Sequence, residues 1–121
     1  MEIQNNKVII AGGRDFRDYQ LLKTKCDVLL SNLTNITIIS GNARGADKLG
    51  EKYAEEKGYN CEKYPADWDQ YGKAAGYIRN EEMAKVGTHL IAFWDGKSPG
   101  TKSMIDLADK YKLKVRVILW S

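Results

Sequence analysis

Ile36-Thr37-Ile38-Ile39-Ser40-Gly41-Asn42-Ala43-Arg44-Gly45-Ala46-Asp47 passes from a β-branched apolar run, through a polar turn bracketed by glycines, into a segment with helical spacing. The same order occurs twice more. Val8-Ile9-Ile10-Ala11 runs into Gly12-Gly13-Arg14-Asp15, and Leu90-Ile91-Ala92-Phe93-Trp94 runs into Asp95-Gly96-Lys97-Ser98-Pro99-Gly100-Thr101. Short apolar runs closed by glycine and separated by single helices are the pattern of a parallel sheet. In such a sheet these turns all lie at the carboxyl edge, where α/β proteins bind ligands. Glycine lets backbone amides approach an anion, and a helix N-terminus adds partial positive charge. The three turns therefore read as one nucleotide- or phosphate-binding crevice.

Working outward, the chain reads β-α-β-α-β-α-β-α-β. Strands are expected at residues 7–11, 36–40, 59–64, 89–94 and 114–120. Helices are expected at 18–30, 46–57, 71–86 and 99–112. The first helix should turn Leu21, Leu22, Val28 and Leu29 to the core, Gly58 should cap the second, and Gly87 should stop the third. Right-handed crossovers then predict an α/β, Rossmann-like, doubly wound five-stranded parallel sheet of order 3-2-1-4-5. The third strand is weakly apolar and belongs near an edge.

The 121 residues fit a single domain, residues 1–121. Nineteen basic and 16 acidic residues leave a net charge of +3, spread along the chain. That surplus suits a small anionic ligand and argues against a nucleic-acid partner. Cys26 and Cys61 form no metal motif with the single His89, so both are expected as reduced thiols. The opening Met1-Glu2-Ile3-Gln4-Asn5-Asn6 is polar, with no signal-like apolar stretch, and no run could span a membrane. A cytoplasmic location and no membrane partner are expected.

Candidate ligand-binding residues follow from the turns: Gly12, Gly13 and Arg14 in the first, Ser40, Gly41, Gly45 and Asp47 in the second, Trp94, Asp95, Gly100 and Thr101 in the third. Each also has a plainer reading. Asp47 suits a helix dipole, Ser98 and Pro99 suit a helix start, and Arg14 with Asp15 could be a surface ion pair. Arg79 and Asn80 lie further along the third helix and could point into the crevice. Gly72 and Gly76, four residues apart, predict close approach to a backbone or a ligand, because glycine within a helix costs about 1 kcal/mol against alanine. Trp68 and Trp94 could stack on a base or pack in the core.

Gly-Gly-Arg-Asp at 12–15, Ser-Gly-x-x-x-Gly-Ala-Asp at 40–47, Ala-Asp-Trp at 66–68, Gly-Lys at 72–73, Arg-Asn at 79–80 and Pro-Gly-Thr at 99–101 together resemble the YspA/YpsA-related proteins of the SLOG superfamily. Relatives there include the LONELY GUY phosphoribohydrolases and the DNA-processing protein DprA/Smf. The resemblance spans about residues 8–117. It implies a Rossmann-like fold of bacterial or phage origin with a nucleotide-type ligand at the carboxyl edge. The phosphoribohydrolases pair an arginine and, four residues on, a methionine with Pro-Gly-Gly-x-Gly-Thr-x-x-Glu. Arg79 and Met83 repeat the first spacing, but Met104 stands where the glutamate belongs. A carboxylate stabilises the sugar cation formed in glycosidic cleavage, and methionine cannot.

The leading expectation is thus binding of a nucleotide or nucleotide derivative, in a sensor, carrier or sequestering role. The partner is a small nucleotide or phosphorylated molecule, the sequence fixes no cofactor beyond that nucleotide-like ligand, no metal ligand set is visible, and Mg²⁺ could accompany a phosphate. A second reading is cleavage of a nucleoside monophosphate, with Arg79 and Asp95 as candidate catalytic residues. A third, from the DNA-processing relatives, is single-stranded DNA binding through Arg44, Lys73, Arg79 and Lys102 with exposed aromatics. Helix surfaces bearing Gly72, Gly76 and Tyr77 could make a homodimer, by analogy with the relatives.

Overall fold

A computed structural model describes residues 5–121. The reading of the polar N-terminus therefore falls largely outside the described residues. Five strands, β1 (Asn6–Gly12), β2 (Ile36–Ser40), β3 (Asn60–Lys63), β4 (His89–Trp94) and β5 (Lys114–Leu119), form one sheet in the order β3-β2-β1-β4-β5. All four pairings are parallel. The order reverses between β1 and β4, whose register pairs Val8 with His89 and Gly12 with Phe93. The turns after β1, β2 and β4 consequently share one edge.

Alternation along the central strands divides the core between two faces. Val8 and Ile10 pack with Phe16, Leu22 and Tyr53 beneath α1 (Tyr19–Leu29) and α2 (Ala46–Lys57). Ile9 and Ala11 pack with Met83, Met104 and Leu107 beneath α4 (Ala75–Val86) and α5 (Pro99–Lys110). A sheet covered on both faces explains the unbroken apolar runs of β1 and β4. Gly50 lets α2 lie on β1, since a Cβ there would stand 2.9 Å from Ile10 Cβ.

Helix ends follow ordinary chemistry. Asp18 caps α1 by accepting from Leu21 N–H, and Gly58 ends α2 in the left-handed conformation at φ +74°. Val28 departs from expectation at 69% exposed; Cys26 fills that side of α1. The expected third helix is broken. A short α3 (Trp68–Tyr71), capped by Asp67, ends at Gly72 with φ +55°, and a 3₁₀ turn leads into α4. Gly72 therefore serves a backbone reversal, with open space around it, and a Cβ on Gly76 would make only ordinary contact with Trp68, at 3.5 Å. Neither reflects approach to another backbone. Gly87 ends α4 with extended backbone and sits against Ile9, 2.8 Å from where its Cβ would be. No described helix is long and apolar enough to cross a membrane.

Candidate functional site

The glycines of the turns are explained first by how the turns pack on one another. Gly45 has φ +82°, and a Cβ there would collide with the Gly13 and Arg14 carbonyl oxygens. A Cβ on Gly12 would collide with the Phe93 carbonyl. Gly13 N–H donates to Phe93 O at 3.3 Å, and Gly13 O accepts from Phe16 and Ala46 N–H, both at 3.2 Å. The end of β1 is thereby stitched to the end of β4 and to the start of α2. Several amides that the sequence offers to a ligand are thereby occupied. Asn42 N–H goes to Ser40 Oγ at 3.0 Å and Ala43 N–H to Asp47 Oδ2 at 3.2 Å.

Other donors remain free. In α5 the first intrahelical bond is Lys102 N–H to Ser98 O at 3.1 Å, so the Gly100 and Thr101 amides lie ahead of the ladder. Gly100 faces open space. Ser98 stands at the N-cap position but makes no side-chain cap. Asp95 orders this loop instead, accepting from Lys97 N–H at 2.9 Å and Ser98 N–H at 2.8 Å. Those two amides hold its carboxyl below the usual range.

An open cleft of about 630 Å³ lies over the switch between β1 and β4. Its apolar lining includes Ala11, Met83, Met104 and Trp120, its cations are Arg14, Arg44, Lys73 and Arg79, and its carboxylates are Asp15, Asp47 and Asp95. It continues into a smaller compartment of about 310 Å³ beside Asn42, Pro65 and Ala66. Arg14, Arg44, Arg79 and Trp68 line both, and no carboxylate lines the smaller one. Trp68 is 50% and Tyr77 52% exposed, so two aromatic rings stand in solvent along the groove.

Arg79 is the hub. Its Nη1 donates to Gly41 O and its Nε to Asn80 Oδ1 at 2.9 Å, while Asn80 Nδ2 donates to Gly100 O at 3.4 Å. α4 thus ties the β2–α2 turn to the start of α5. Burial pulls the Arg79 pKa below its ordinary value, opposed by the Asp47 charge. Asp47 is only 6% exposed, and burial pushes its carboxyl up to about 6 against the pull of Ala43 N–H and Arg79.

Of the candidates from sequence, Gly12, Gly13, Arg14, Asp47, Arg79, Asn80, Asp95, Gly100 and Thr101 line the main cleft, and Gly41 lines the smaller compartment. Ser40, Gly45 and Trp94 do not line either. Ser40 Oγ donates to Glu51 Oε2 at 2.7 Å, and Trp94 Nε1 to Ser98 O at 3.0 Å, so both brace the loops. Asp15 pairs with Arg44 at 3.8 Å rather than with Arg14. Lys102 pairs with Asp106 at 2.5 Å and is not in the lining. Of the residues named for a dimer surface, Gly76 and Tyr77 line the cleft and Gly72 does not.

Trp120 escaped the sequence reading. Its Nε1 donates to Phe93 O at 3.1 Å, and its ring meets Phe16 edge-on at 5.1 Å. The usable signal was topological: a residue just past a parallel edge strand arrives at the same rim. Among the described residues no three His, Cys, Asp or Glu side chains converge as a metal set. A Mg²⁺ accompanying a phosphate would meet single carboxylates, Asp15 or Asp95, in the lining.

Residues 6–71 match the sequence profile of the YspA, cpYpsA-related SLOG family. Over 116 residues the chain is 33% identical to the Gene 61 protein of Mycobacterium phage D29, covering 90% of this chain and 93% of that protein. DprA from Streptococcus pneumoniae shares the fold with a TM-score of 0.75 at 19% identity, over 97% of this chain and 51% of that one. This chain thus spans about half the length of that protein. DprA from Helicobacter pylori shares it with a TM-score of 0.66 at 23% identity, over 96% of this chain and 66% of its own. The Helicobacter protein has a single-stranded DNA binding mode. That finding overturns the argument from modest net charge against a nucleic-acid partner. The physical reason is local: an average of +3 hides the gathering of Arg14, Arg44 and Arg79 around the smaller compartment, which no carboxylate lines.

Proposed function

The chain belongs to the YspA, cpYpsA-related SLOG family, and we propose that its groove at the carboxyl edge of the sheet binds single-stranded nucleic acid. The observation that carries this reading is the continuity of the two compartments. Arg14, Arg44 and Arg79 are shared between them, so one cationic path runs past the space a single phosphate needs. Non-specific single-strand binding combines such a path with aromatic faces on which bases stack. Trp68 and Tyr77 supply the faces, and the Gly100 and Thr101 amides offer a phosphate seat at the start of a 12-residue helix. The single-strand binding of a protein with the same fold supports the reading. Residues 1–121 act in it as one unit.

A mononucleotide is the second reading, favoured by the apolar Met83, Met104 and Trp120 lining that would accept one base. Titrating a fluorescent unphosphorylated oligothymidylate, with nucleoside monophosphates as competitors, separates the two. The groove reading expects binding of the oligonucleotide, poor competition by mononucleotides, and a loss of about 1–3 kcal/mol in Trp68→Ala. Full competition by a mononucleotide at equal concentration, or an unchanged Trp68→Ala, contradicts it. Release of free base from a monophosphate would move the conclusion to catalysis.

A further inference from the structure

Asp47 is an anomaly in an anion groove. It lies in the first turn of α2 and is nearly buried, whereas the other two carboxylates of the lining, Asp15 and Asp95, are exposed. Its Oδ2 and Arg79 Nη1 stand on one side of Gly41, each 2.7 Å from where a Gly41 Cβ would be. The two side chains face the same point without a direct ion pair, and Arg79 Nη1 donates to Gly41 O. The groups acting on Asp47 come from several elements. Arg79 approaches from α4, Arg14 from the turn after β1, and Glu51 from the next turn of α2. Ser40 Oγ of β2 contacts the Asp47 carbonyl at 3.3 Å. Glu51 is itself held by Ser40 and by Lys48 and Lys63.

We propose that Asp47 is the built-in counter-ion of the groove: ligand phosphate competes with its charge for Arg79 and Arg14, so that anion binding is coupled to proton uptake by this carboxyl. The inference rests on the groove reading above and adds a regulation to it. It also assigns Asp47 a role other than contact with a sugar hydroxyl. A phosphate beside a buried carboxylate disfavours its charged form and raises its pKa further. Thermodynamic linkage then requires the ligand to bind more tightly where Asp47 is protonated. The carboxyl already sits near 6, so the effect falls between about pH 8 and 5. A further rise of one pKa unit corresponds to about tenfold tighter binding across that window. His89, the chain's one histidine, begins β4 at the opposite edge of the sheet and is not in the groove lining.

The test is oligothymidylate binding from pH 5.5 to 8, wild type against Asp47→Asn. An unphosphorylated oligonucleotide keeps its charge over this range, and asparagine keeps an acceptor for Ala43 N–H. Wild-type affinity should rise about tenfold toward acid. Asp47→Asn should bind at pH 8 at least as tightly as wild type and show a flat profile. An equal slope in both proteins, or weaker binding by Asp47→Asn at pH 8, overturns the proposal; the latter would indicate direct contact with the ligand. Unfolding of the free proteins checks the carboxyl alone. Because its folded pKa is raised, its stabilisation is full below about pH 4 and is lost as pH rises through about 6. The melting temperature of wild type relative to Asp47→Asn should therefore fall between pH 4 and 7, and parallel curves would also overturn the idea. If no oligonucleotide binds at any pH, the groove reading is what fails. The same comparison with sulfate, whose charge is constant over the range, then decides the counter-ion role.

Discussion

At the scale of single residues, the glycines of the turns divide into two kinds. Gly12 and Gly45 exist for the fold, because backbone carbonyls occupy the space a Cβ would need. Gly45→Ala adds a left-handed penalty at φ +82° and should cost on the order of 1–3 kcal/mol, read by denaturant unfolding. Gly100 is of the other kind. A Cβ there meets nothing, and alanine is the better helix former by about 1 kcal/mol. Gly100→Ala should therefore leave stability equal or slightly higher, yet weaken oligonucleotide binding by covering an amide of the helix start. A destabilised Gly100→Ala, or one that binds like wild type, contradicts the assignment. Sequence alone shows glycine in every turn and cannot separate these kinds, because the distinction lies in which carbonyl stands opposite. The candidates Ser40, Gly45 and Trp94 line neither compartment, and the side chains of Ser40 and Trp94 hydrogen-bond to Glu51 and to Ser98 O.

At the scale of elements, β1, β2 and β4 were legible because strands buried on both faces need unbroken apolar runs, and α2 because Gly58 closes it. The region from Trp68 to Val86 was not. Its aromatic and glycine spacing suits one long helix, and only the left-handed Gly72 shows that the chain turns there. That break has a functional consequence. α3 carries Trp68 at the groove, while α4 presents Arg79 and Asn80 toward the turns. Gly72→Ala forces a Cβ into φ +55°, at a cost of about 1 kcal/mol. The cost should appear as faster amide exchange over α3, with the sheet unaffected. Uniform loss of protection through β1 and β4 would show instead that α3 folds as part of the core.

At the scale of the whole molecule, net charge misled because it reports the average of a surface on which position matters. Several cations outside the groove lining are neutralised locally, as in Lys7–Glu62, Lys57–Asp27 and Lys102–Asp106. Arg14, Arg44 and Arg79 also line the smaller compartment, where no carboxylate opposes them, and the Asp15–Arg44 pair is highly exposed and weak. Arg44→Gln should thus leave stability within about 0.5 kcal/mol of wild type while lowering single-strand affinity. The measurement that bears most directly on the account is oligothymidylate affinity as a function of salt concentration. Arg14, Arg44 and Arg79 each neutralising one phosphate predict a linear log–log plot with a slope of about −2, made shallower by about 0.7 in Arg44→Gln. No binding at low salt, or an affinity indifferent to salt, would contradict the central claim.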